Sequence, residues 1–167
     1  VLTVRRPEGV VYDLVGSRQV PARQKDGSLS IDVHLGPCDG RVYMIAPRPI
    51  EAIRVQAPAQ AKRGAAAACT IEVIAAGGKP LEAVVPVEVE IRDAEGRLAE
   101  FSGWYAAVGG RIQIKLDVAP NDPPGVWQIF ARELASGRTG AAYLRVLGPQ
   151  PWPPERGPAP KAVQLKG

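Results

Sequence analysis

In the second half of this chain, segment after segment alternates apolar and polar side chains with a period of two. VPVEVEIRD sets Val85, Val87, Val89 and Ile91 against Glu88, Glu90 and Arg92. RIQIKLDV sends Ile112, Ile114, Leu116 and Val118 to one side, and GVWQIFARE separates Trp127, Ile129 and Ala131 from Gln128, Phe130 and Arg132. CTIEVIAA alternates in the same way, with Ile71 and Val73 against Thr70 and Glu72. This spacing cannot bury one face of a helix, but it buries one face of an antiparallel strand and leaves the other in water. The segments are separated by residues suited to tight turns: Asp93 to Gly96, Gly109-Gly110, Asn121 to Gly125, and Ala135-Ser136-Gly137. Gly96 is expected at positive φ, Gly109-Gly110 reads as a hairpin turn, and Pro86 places its residue at a sheet edge or at a strand's beginning.

The first half repeats the theme in shorter pieces. Leu2 and Val4 alternate with Thr3 and Arg5, VVYDLV follows, and a turn is expected at Asp26-Gly27-Ser28. LSIDVHL then puts Leu29, Ile31, Val33 and Leu35 on one face and Ser30, Asp32 and His34 on the other. GPCDG, RVYMIAP and IEAIRVQAP complete the block. With 18 Gly and 17 Pro the punctuation is dense, which suits many short strands. The predicted architecture is all-β, with two small antiparallel modules and a tail. Residues 1–57 form a short-stranded β module, 58–68 a linker, 69–148 an immunoglobulin-like sandwich, and 149–167 a Pro-rich tail. The tail composition favours polyproline II and reads as a linker or frayed end, with its PxxP spacing as the alternative, an SH3-type ligand.

Composition removes several function classes. The net charge is +4, but the basic residues are scattered and cluster only as the pairs Arg5-Arg6 and Lys62-Arg63. Nucleic-acid binding needs a concentrated basic face, so no nucleic-acid partner is expected. No apolar run approaches the roughly 18–20 residues that span a bilayer as a helix. The first residues have no leader pattern, and the chain reads as a processed or excised part of a longer one. Cys38 and Cys69 are too few for a disulfide framework or a four-ligand zinc site. Either they form one bridge that staples the two blocks together, or they are two buried thiols.

His34 is the single histidine and reads as an exposed strand residue, and no GxSxG elbow is present. Asp13, Asp32, Glu88 and Glu90 read as solvent-side strand residues, Asp93 and Glu95 sit in a short hairpin loop, and Asp122 lies in a turn beside prolines. None of them signals the partly buried cleft that acid–base chemistry requires. DAEGR lacks the alternating ligand pattern of a calcium loop. No catalytic residue, metal site or cofactor is expected. The candidate binding residues are Trp104 and Tyr105. They are consecutive, so on a strand one of them faces outward, available to stack on a polysaccharide or to pack on a neighbouring domain. Trp127 belongs to an apolar face and is expected in the core.

Two resemblances cover most of residues 1–148. From VPVEVEIRDAEGR through NDPPGVWQIFARE to GAAYLRV, the second block resembles the macroglobulin-type, immunoglobulin-like β-sandwich. VVYDLVGSRQV and LGPCDGRVYMIAP resemble the C-terminal β-domain that follows the catalytic domains of glycoside hydrolases. The resemblance implies a non-catalytic accessory module of a large secreted bacterial protein, extracellular or periplasmic, with an upstream catalytic domain as its partner. A carbohydrate-binding module and a macroglobulin-like or adhesion module acting by protein contact are the alternatives. No matching position is catalytic in those families, and no thioester segment is present.

Overall fold

Short apolar runs closed by Gly, Pro and Asp can pair laterally but are too short to wind into stable helices. Residues 1–148, which the computed structural model describes, are accordingly strands and turns. The N-terminal part consists of β1 (Leu2–Val4), β2 (Val10–Asp13), β3 (Arg18–Val20), β4 (Arg23–Lys25), β5 (Ser28–Ile31) and β6 (Tyr43–Ala46). They make two three-stranded sheets, ordered β1-β5-β4 and β3-β2-β6. Asp26 and Gly27 both have positive φ, 49° and 70°, which is the backbone of the two-residue hairpin turn joining β4 to β5. The core here is small, built on Val11, Leu29 and Ile31. An apolar groove of about 240 Å³ stays open between Leu2, Val4, Ile31 and Tyr43.

The remaining strands are β7 (Ile50–Gln56), β8 (Gln60–Lys62), β9 (Ala66–Ala75), β10 (Val85–Arg92), β11 (Gly103–Ala107), β12 (Arg111–Asp117), β13 (Gly125–Glu133) and β14 (Thr139–Leu147). They form a sheet ordered β12-β9-β7 and a second ordered β11-β10-β13-β14-β8. The alternating residues of both sheets meet in one core. Ile71, Val73, Val87, Ile91, Leu116 and Ile129 are among its fully buried members. Two antiparallel sheets with this strand order, and a short strand added in parallel at β14, make an immunoglobulin-like sandwich.

Several expectations need correction. The alternation of LSIDVHL predicts a strand through Leu35, yet β5 ends at Ile31 and His34 is exposed in a loop. Among the described residues, only 28 to 31 of this segment have partner strands, and alternation without a partner leaves backbone groups to water. IEAIRVQ, assigned to the first module, is β7, which pairs along β9 and therefore belongs to the sandwich. The expected linker 58–68 contains β8, and β9 begins within it at Ala66. Gly109-Gly110 turns the chain but closes no hairpin, because β11 and β12 lie in different sheets. A side chain at Gly110 would sit 2.6 Å from the Leu81 nitrogen, so the crossing depends on glycine. Pro86 does stand at a strand's beginning, as expected: it is the second residue of β10, and its carbonyl accepts from Leu134 N–H. The tail predicted for 149–167, Trp152 included, lies outside the described residues.

Cys38 and Cys69 are both free thiols. Cys69 is buried in the sandwich core, where burial pushes its thiol up to about 11, whereas Cys38 lies on an exposed turn at φ 58°. The two are not bridged here: one thiol is enclosed in the core and the other is exposed. The pair is not two buried thiols either.

Candidate functional site

The strand pairing brings one set of side chains to the outer face of the five-stranded sheet. Trp104 on β11 stands opposite Glu88 on β10, which stands opposite Arg132 on β13. The next rank holds Glu90, Phe130 and Ala141, and the one after it Arg92, Gln128 and Tyr143. Trp104 is 71% exposed and Tyr143 is 61% exposed. Phe130 is half-buried between them, beside a shallow depression of about 270 Å³ that Glu90, Arg92 and Gln128 also line.

Two ion pairs cross this face, and Arg145 on β14 adds an exposed cation two residues from Tyr143. Arg132 Nη2 donates to Glu88 Oε2 at 2.8 Å, and Arg92 Nη2 donates to Glu90 Oε2 at 2.9 Å. Both pairs are substantially solvated and worth little in stability.

Trp104 and Tyr105 divide as alternation requires. The Trp104 ring lies on the solvent face. Tyr105 turns inward, packs against the core and donates from its hydroxyl to the Phe101 carbonyl at 2.7 Å. Burial raises the Tyr105 phenol above its ordinary range. A surface ligand can therefore use Trp104 but not the ring of Tyr105.

Trp127 is 2% exposed, and its indole Nε1 donates to the Pro123 carbonyl at 3.1 Å, four residues upstream. Asp122 Oδ2 accepts from Ala119 N–H at 2.7 Å and holds the other end of the same turn. Together they anchor the entry to β13, in the way that a tyrosine anchors the corresponding corner of immunoglobulin domains.

Two buried carboxylates escaped the reading of the sequence. Asp13, read as solvent-side, is 2% exposed and accepts from Val15 and Gly16 N–H at 3.1 and 3.2 Å, with Arg18 and Arg41 beside it. Glu133 is fully buried and accepts from Ala135, Ser136 and Arg138 N–H at 2.9 to 3.0 Å, and from the Ser136 hydroxyl. Asp93 follows the same plan, accepting from Glu95 N–H at 2.8 Å and Arg97 N–H at 3.0 Å. Burial opposes its ionisation, but the Arg97 guanidinium and these N–H groups outweigh it and lower its titration. The signal common to all three is an acid at a strand end followed by a turn that closes on glycine: DLVG, DAEG and ELASG. Each carboxylate takes up turn N–H groups that no ladder can satisfy. His34 is far in sequence from any of them and has no acid partner among the described residues. Among the described residues, no group of His, Cys, Asp and Glu is arranged to hold a metal ion.

No family model matches the chain, and no curated protein matches it in sequence. Solved structures similar to it include the CARDB domain of the PF1109 protein from Pyrococcus furiosus, at 14% identity, TM-score 0.42, with 61% of this chain and 91% of that one covered. Escherichia coli alpha-2-macroglobulin is similar at 14% identity and TM-score 0.42, over 65% of this chain and 11% of that one. A beta-glucosidase from Listeria innocua is similar at 14% identity and TM-score 0.38, over 60% of this chain and 16% of that one. At TM-scores below 0.5 these likenesses assign neither ancestry nor activity. The immunoglobulin-like architecture rests on the order and pairing of the strands.

Proposed function

We propose that this chain is a non-catalytic accessory module of a larger secreted bacterial protein of the glycoside hydrolase type, extracellular or periplasmic, where it supports and spaces the catalytic domain. The observation that carries this reading is the junction between its two parts. Tyr12, from β2, is buried in the core of the sandwich, and its hydroxyl accepts from Ile50 N–H at 2.8 Å. Arg138 Nε, from the far hairpin, donates to the Ile50 carbonyl at 3.1 Å. A spacer must hold its ends in one relation, and a buried, hydrogen-bonded tyrosine at the joint does so where a flexible tether would not. The buried acids fit the same role, since Asp13 and Glu133 hold turns. The test is to express the domain encoded upstream of Val1 with and without this chain. The expected result is a lower melting temperature and loss of yield without it. A glycosidase equally stable and active alone would refute the reading.

A second reading, polysaccharide binding, is favoured by one observation: the exposed Trp104 ring shares a sheet face with Phe130 and Tyr143. Strand spacing puts Trp104 and Phe130 roughly 12 Å apart, within reach of two stacking subsites on an extended glycan. Affinity electrophoresis in gels containing soluble polysaccharides tests it. Retardation of the wild type lost in Trp104→Ala supports it, and equal mobility in every gel refutes it.

A further inference from the structure

Among the described residues the sandwich has four sheet edges, and three of them carry the charges that keep edges from pairing with other chains. β7 bears Glu51 and Arg54, β8 ends on Lys62, and β12 bears Arg111, Lys115 and Asp117. β11, Gly103-Trp104-Tyr105-Ala106-Ala107, carries no charge. Its backbone is also open. Ile91 N–H and C=O both bond to Ser102 on the β11 side, whereas the Pro86 carbonyl bonds to Leu134 on the β13 side. Odd-numbered residues of β10 therefore bond to β11. Their partners Gly103, Tyr105 and Ala107 use up their own groups, leaving those of Trp104 and Ala106 to point outward. Among the described residues, only the Ala106 carbonyl has an acceptor role there, to Val108 N–H at 3.0 Å. Val84 and Val108, 57% and 68% exposed, add apolar surface at the Ala107 end of β11.

The geometry points to β11 as a self-pairing edge, through which two copies of this chain join their five-stranded sheets antiparallel about a two-fold axis at Tyr105. The register is self-complementary. Trp104 of each copy exchanges N–H···O bonds with Ala106 of the other, so both open residues are satisfied twice. On the outer face the largest side chain of the edge lies over the smallest, Trp104 over Ala106 of the second copy, with that copy's Val108 beside it. A seam without charge brings no like charges together. This choice of occupant differs from a glycan in what it uses, since a sugar stacking on Trp104 gives no reason for an uncharged, open backbone edge. The exposed apolar area of Trp104, Val84 and Val108 is on the order of 400 Å² per copy. That is about half of the ~800 Å² a standard interface takes from each side, so the dimer is concentration-dependent.

Sedimentation velocity of the full 167-residue chain tests this between about 1 and 300 µM. The expected result is monomer at the low end and dimer at the high end, with the Trp104 and Ala106 amides gaining hydrogen-exchange protection as concentration rises. Ala106→Pro removes an outward N–H that has no acceptor among the described residues, and should leave a monomer at every concentration. Ala106→Lys places a charge in the seam and should do the same, which covers the case of a Pro variant that fails to fold. A wild type that stays monomeric throughout overturns the proposal. So does a dimer that survives both substitutions, or a monomer whose Trp104 serves only to bind polysaccharide.

Discussion

Replacing Trp127 with alanine should be the most damaging single change in the sandwich. The side chain is 2% exposed and lies in the main core, so its removal loses the transfer energy of a large ring and leaves a cavity between the sheets. Large aromatic truncations of this kind cost roughly 3–5 kcal/mol. About 1 kcal/mol of this belongs to the indole bond to the Pro123 carbonyl, which would be left without its donor. With a urea dependence of about 2 kcal/mol per molar, the midpoint of the main transition should fall by roughly 1.5–2.5 M. Trp127→Phe separates the two contributions, because it keeps most of the packing and loses the donor; about 1–2 kcal/mol is expected. The assay is urea unfolding followed by circular dichroism near 218 nm, which avoids fluorescence from Trp104 and Trp152. An alanine variant within about 0.3 M of the wild-type midpoint would refute the core assignment. A phenylalanine variant as unstable as the alanine one would mean that the turn anchor, rather than ring burial, holds the corner.

Native protein should react with Ellman's reagent at one thiol, Cys38, and at both once unfolded; zero or two in the native state would contradict the placement of Cys69. Because the folded Cys69 pKa lies above its unfolded value, the stability it allows is complete below pH 9.0 and lost as pH rises toward about 11. Cys69→Ala should lose less stability than the wild type over that window in thermal melts. Glu133→Gln should cost roughly 2–4 kcal/mol, since an amide nitrogen meets N–H groups that all donate inward, and a melting temperature equal to wild type would show the turn to be held otherwise. For Asp93 the folded pKa is depressed, so its contribution is present above pH 3.8 and lost as pH falls through the folded value. Asp93→Asn should melt below wild type at pH 7 and converge with it in acid, and a gap that stays constant down to pH 2 would refute the turn-capping account.

How much could be read in advance varies along the chain for definite reasons. The strands β10, β12 and β13 were plain because each has one dry and one wet face, and that asymmetry is written locally. The positive φ of Gly96, the hairpin at Asp26-Gly27 and the burial of Trp127 follow from equally local rules. LSIDVHL was misjudged past Ile31 because alternation records a capacity to pair and says nothing of whether a partner strand is there. The inward turn of Tyr105 and the outward turn of Trp104 followed from their adjacency once either was on a strand, but which was which depended on the β10 register.

Sequence alone was thus enough for the all-β class, the positions of the turns and the inner face of most strands of the sandwich, since these depend on neighbours two to four residues away. Tertiary structure decided what depends on distant neighbours. It assigned β7 and β8 to the sandwich through pairing with β9 and β14, and kept the two cysteines apart. It enclosed Asp13 and Glu133, whose charges would otherwise mark them as surface residues, because turn N–H groups needed acceptors. It also left β11 as the uncharged edge, a property no residue of that strand has until the other three edges are known.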